Sequence, residues 1–121
     1  MTRAATLALL QRYYDAFNAG DRDAMLSCLA EQVAHDINQG SRQIGKAVFR
    51  DFLAHMDRCY REKLTDLAFM SDESGSRAAA EFIVHGTYLA SDEGLPPATG
   101  QTYRLPAGAF FDIEEGLITR V

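Results

Sequence analysis

Asp36 stands on a short segment lined by Val33 and Ile37. A carboxyl so placed is partly desolvated, which raises its pKa toward that of a useful base. The alternative is a carboxylate that hydrogen-bonds the turn at Gln39 and Gly40 and does no chemistry. Strand alternation puts Asp36 and Asn38 on one face and His35 and Ile37 on the other. With Asp36 facing a pocket, Asn38 is either an amide that orients it or binds a ligand carbonyl, or a turn-entry residue. His35 is then expected on the outer face, paired or at a subunit contact. Glu81 and His85, four apart on a long strand, lie about 13 Å from each other. They could flank one site, with His85 as acid or base, or simply present a polar face to solvent or a partner. Arg104 would favour an anionic ligand such as a carboxylate or acyl-thioester fragment, or else pair with Glu81 or Asp112.

Sulfur and imidazole spacing gives little more. Cys28 and Cys59 are too few for a disulfide scaffold and read as small buried hydrophobes. The three histidines, His35, His55 and His85, show no i, i+4 pairing with one another, and CxxC and HExxH are absent. No metal and no organic cofactor is expected.

These groups must be positioned by local structure. Leu7, Leu10, Tyr14 and Phe17 form one helical stripe, predicting a helix over 2–19. Gly20 suits a left-handed C-terminal position, and Asp21 an N-cap for a short helix over 22–30. A strand is expected over 33–38, a turn at Gln39-Gly40-Ser41 and a short return strand over 42–44. A third helix follows Gly45, over 46–61, with Phe49, Phe52, Leu53, Met56 and Tyr60 on one broad apolar face. The second half changes period. Strands are expected over 64–71, 77–90, 101–113 and 117–121, with bends near Gly86, Pro106 and Gly108. Tyr103 and Phe111 are placed on the outer sheet face, where exposed aromatics would suit dimerisation. Helices first and an antiparallel meander after them define an α+β fold. A bent sheet against helices leaves a cavity between them, which Phe17, Phe49, Phe52, Met56 and Phe110 would wall or fill.

Composition narrows the partners. The chain has 121 residues, 47% of them apolar, enough for one domain spanning 1–121 with a sizeable core. A net charge of −5 and the absence of a basic cluster argue against nucleic acid. No apolar run approaches the ~20 residues of a membrane span. The first residues lack the features of a signal peptide, so a cytoplasmic location is expected.

The chain resembles the NTF2-like superfamily over nearly its whole length, and within it the ketosteroid isomerase-related and SnoaL-like proteins. The segment Tyr13-Tyr14-Asp15-Ala16-Phe17-Asn18-Ala19-Gly20-Asp21 is similar to the first-helix signature of ketosteroid isomerases. His35-Asp36-Ile37-Asn38-Gln39-Gly40, Gly45-Lys46, Gly94-Leu95-Pro96-Pro97 and the run from Leu105 to Phe111 resemble a steroid isomerase-related subgroup. The resemblance implies a cone, with three N-terminal helices packed on a strongly curved, mixed but mostly antiparallel sheet. It implies a homodimer through the outer face of that sheet. It assigns Tyr13 as hydrogen-bond donor to a substrate oxygen and Asp36 as base. The chain departs from the isomerases at one point. Their second, neutral carboxylic acid falls here on Ala107 or Gly108, with Asp112 out of register.

The expected function is therefore proton transfer next to a carbonyl of a small apolar ligand, with Asp36 and Tyr13 catalytic. Phe17, Asn38, Phe52, Met56, His85, Arg104 and Phe110 would line the pocket. The alternative is a ligand-binding or dimerisation module without turnover.

Overall fold

The computed structural model describes residues 2–38 and 40–121. The elements in order are α1 (Arg3–Ala19), α2 (Arg22–Ser27), β1 (Leu29–Asp36), β2 (Arg42–Ile44), α3 (Lys46–Cys59), β3 (Tyr60–Ser71), β4 (Arg77–Tyr88), β5 (Thr102–Glu114) and β6 (Leu117–Arg120). The turn position expected at Gln39 lies outside the described residues, as does Met1.

Local chemistry sets the helix ends. The Thr2 hydroxyl accepts from Ala5 N, and Gly20 ends α1 with φ at 71°, a left-handed conformation that suits glycine. The Asp21 carboxylate accepts from Ala24 N and starts α2. Helix α2 stops at Ser27, earlier than expected, because the chain is drawn into the sheet at once: Ile118 N donates to Cys28 O at 2.9 Å, and Leu29 pairs with Ile118. Helix α3 passes into β3 without a loop. Tyr60 through Lys63 already pair with Tyr88 through His85.

The six strands form one mixed sheet in the order β2-β1-β6-β5-β4-β3. β1 and β6 are parallel and every other neighbouring pair is antiparallel. The pairing of β4 with β5 runs unbroken from Arg77 and Asp112 to Thr87 and Thr102. Gly86, Pro106 and Gly108 therefore do not interrupt it. The irregularity sits in β3, between Thr65 and Ala68, where Asp66 takes φ 56°. Among the described residues β5 pairs with β6 through Asp112, Ile113 and Glu114. Over much of its length β5 thus resembles an edge strand, where proline is tolerated.

One face of the sheet packs against the helices. Leu10, Met25, Val33, Phe111, Ile113 and Ile118 are fully buried there, each worth about 1.5–3 kcal/mol of burial for a side chain of that size. Phe111 is at the centre of the core and Tyr103 shares its strand face, so both expected outward positions are corrected. The cause is register: Ala78 and Gly86, both buried, lie opposite Phe111 and Tyr103.

Candidate functional site

The candidate site begins at β1. Val33 has no exposure and fixes the inward parity of the strand, so His35, two residues on, also faces the helices. The His35 imidazole is buried between two rings of α3, with centroids 4.8 Å from Phe49 and 4.6 Å from Phe52. Its Nδ1 is buried and has no hydrogen-bond partner. Burial lowers the pKa of His35, against a smaller upward pull from neighbouring Asp36. The ring is thus kept neutral at neutral pH, the state in which an imidazole can accept a proton.

A cavity of about 400 Å³ lies near the end of α3, where Met56 lines it with Tyr60, Tyr88, Tyr103, Leu105, Leu95, Pro96 and Glu62. Phe52, which touches the His35 ring, stands one helical turn before Met56 and is not among the lining residues. That volume falls in the usual range for small-molecule sites. Tyr60 stacks on Tyr88 with centroids 5.5 Å apart and meets Tyr103 edge-on. Two carboxylates face these phenols. Tyr103 Oη donates to Glu62 Oε2 at 2.5 Å, and Tyr60 Oη donates to Asp92 Oδ2 at 2.6 Å. Burial, then the adjoining carboxylates, raise the pKa of both tyrosines, which remain donors. The Tyr60 hydrogen bond in turn holds Asp92 below the usual carboxylate range.

Of the expected pocket residues, Met56 lines this hollow, while Phe52 packs against His35 and Phe49. Phe17 packs beside Tyr14, under the Arg22 guanidinium, and borders a neighbouring groove that shares Tyr60 and Glu62. The remaining placements are corrections. Asp36 faces outward from the end of β1, where Arg42 grips it through two hydrogen bonds of 2.6 and 2.9 Å and Arg120 stands 3.7 Å away. Those cations hold its carboxyl below its ordinary value, the opposite of the elevation expected. Tyr13 is buried in the core, edge-on to Tyr14 and Phe111, and burial raises its pKa. Asn38 is exposed in the turn after β1. His85 is on the outer face, bonded to Thr65 Oγ1 at 2.8 Å. Arg104 is exposed opposite it, and Asp112 pairs with Arg120 and Arg77 instead. Phe110 is 69% exposed on that outer face.

Residues not expected in the pocket line it: Glu62 and Tyr88, Tyr60 from the expected helix face, and Tyr103 from the expected outer face; His35, also expected outside, is buried. The alternation Tyr60, Glu62, Leu64 was the available signal for Tyr60 and Glu62. Among the described residues, one group has metal-ligand chemistry: His55, Cys59 and Asp92, whose donor atoms all lie within 4.8 Å of one another.

Helices capping one face of an open mixed sheet, with an aromatic hollow between them, define the NTF2-like α+β class. The SnoaL-like domain model matches residues 10–121, and the chain belongs to that family. It is 62% identical to a Pseudomonas putida protein named as a candidate polyketide cyclase, covering 99% of this chain and 88% of that one, with a TM-score of 0.93. A Xanthomonas campestris protein with the same designation is 56% identical over 98% of this chain and 87% of its own, at a TM-score of 0.95. A Kribbella flavida protein named as a candidate ketosteroid isomerase is 25% identical, covering 97% and 74%, at 0.66. No curated protein matches significantly.

Proposed function

We propose that the chain is a small acid–base enzyme that moves a proton next to the carbonyl of a compact apolar compound, with His35 as the group that takes the proton. One observation carries this reading: a neutral imidazole, buried between Phe49 and Phe52, whose Nδ1 has no partner. The names of the relatives support it. Closing a ring from a polyketide and isomerising a ketosteroid are both, as organic chemistry, reactions of carbons next to carbonyls. A base within reach and a donor to the developing oxygen are then required. The donor is drawn from the cavity phenols, Tyr60 or Tyr103, rather than from core-packed Tyr13. Asp36, held as a charged carboxylate in its ion pair with Arg42, takes no part.

Deuterium uptake from D2O at the carbon beside the carbonyl, followed by NMR over a panel of cyclic ketones and β-keto thioesters, tests the proposal. The protein should accelerate exchange of at least one member, and His35→Gln should lower that rate by about 10²–10⁴-fold, the usual share of a general base. A second reading, a binding module without turnover, is favoured by the capping of both cavity carboxylates with tyrosine hydroxyls. It predicts saturable binding of panel members with no exchange. A homodimer through the outer sheet face belongs to the same proposal, supported by exposed Phe110 and Met70.

A further inference from the structure

At the base of the β4–β5 loop the chain folds back over the end of α3. Leu89 N and Ala90 N both donate to Cys59 O, at 2.7 and 3.3 Å. The Tyr88 hydroxyl accepts from Asp92 N at 2.8 Å and donates to Pro96 O at 2.7 Å. These bonds bring the Asp92 carboxylate against one side of α3, where His55 and Cys59 stand one turn apart. His55 Nε2 lies 3.0 Å from Asp92 Oδ1. Asp92 Oδ1 also accepts from Glu93 N, and Oδ2 from Tyr60 Oη. The Arg58 guanidinium approaches His55 Nδ1 at 3.4 Å.

We propose that His55, Cys59 and Asp92 form a zinc site with three protein donors, the fourth position left to water or to an oxygen of a ligand. An imidazole, a thiol and a carboxylate are the donor types that zinc combines, whereas magnesium and calcium do not select sulfur. Tetrahedral zinc sets its nitrogen, oxygen and sulfur donors about 3.3–3.6 Å apart. Donor atoms already within 4.8 Å reach that spacing by rotamer adjustments of roughly 1 Å. The hydroxyl of Tyr60 orients the carboxylate from behind, as metal-bound carboxylates require. Ion pairing of His55 with Asp92 and burial of Cys59 account for the groups one by one, but not for the meeting of all three donor atoms at one point. Tyr60 and Met56 also line the apolar cavity, so metal at this point would fix the loop that borders it. The site does not depend on the role given to His35.

Titration of the metal-free protein with zinc against a chromophoric chelator, and with Co²⁺ as a spectroscopic probe, tests the proposal. One metal per chain is expected, with an intense thiolate-to-cobalt charge-transfer band. Cys59→Ser should abolish that band and weaken zinc binding by well over tenfold. His55→Ala, at a half-exposed position, should weaken it comparably, and Tyr60→Phe by about tenfold. Cys28→Ser should change nothing. Absence of saturable one-to-one binding at micromolar zinc overturns the proposal. So does a charge-transfer band that survives Cys59→Ser, or unchanged zinc affinity in His55→Ala.

Discussion

Two adjacent side chains, His35 and Asp36, divide the roles that their neighbourhood allows. Asp36 sits among cations at the sheet edge and keeps its charge; His35 sits among rings and loses it. The unfolded imidazole titrates near 6.5 and the folded one lower. Between those values the unfolded state binds more protons, so stability is lost as pH falls from about 6.5 toward the folded value. The pairs of Asp36, Asp92 and Asp112, whose pKa values are lowered from 3.8, weaken only at still lower pH. Urea midpoints should therefore drop between pH 7 and pH 5 in the protein, and that drop should shrink in His35→Gln. Equal slopes in the two would remove burial of the imidazole as a cost. His35 was expected on the outer face and is buried, although the sequence held a signal for its inward place. Val33 shares its parity, and an apolar residue with no polar alternative sets which face is inside. Family spacing pointed instead to Asp36, whose ion pair depends on Arg42, a cross-strand contact that spacing does not reveal.

The elements and their order were legible from periodicity and capping, and their ends less so. Asn18 shows why the first joint is built as it is. Its amide donates to Leu64 O at 3.0 Å and accepts from Leu64 N at 2.9 Å, so α1 ends by pairing like a strand with β3. Gly86 was legible as a special position, though not for its contact: it interrupts no pairing, and the Tyr103 ring lies across it, in the space a Cβ would occupy. Gly86→Ala should push that ring off Glu62 and cost about 1–3 kcal/mol in denaturant unfolding, the usual penalty of overpacking. A variant as stable as the parent, with Tyr103 unmoved by NMR, would show the contact to be soft. The His55 and Cys59 spacing on α3 was visible in the same way. Their third neighbour, Asp92, is brought in by a loop 33 residues on, and pattern matching along the chain does not see it.

At the scale of the molecule, the sheet separates two surfaces. The helix side holds His35 and the aromatic cavity, while the outer side presents Phe110 and Met70, 69% and 49% exposed. Apolar groups of this kind on an outer face fit a contact between copies. Sedimentation should show a dimer that Phe110→Asp dissociates, with the fold retained; a monomer at all concentrations would leave that face free. No helix is long and apolar enough to cross a membrane among the described residues. The α+β class followed from the segregation of helices and strands, whereas the side of the sheet facing each residue depended on registers that single positions decide.

The proposed chemistry belongs to the buried imidazole and not to the acid beside it. Side-by-side rates of α-carbon deuteration for His35→Gln and Asp36→Asn, on the same ketone, test it most directly. Background exchange is expected for the first and a rate within about twofold of the parent for the second, since an exposed ion pair contributes little. Loss of exchange in Asp36→Asn with full activity in His35→Gln would contradict it.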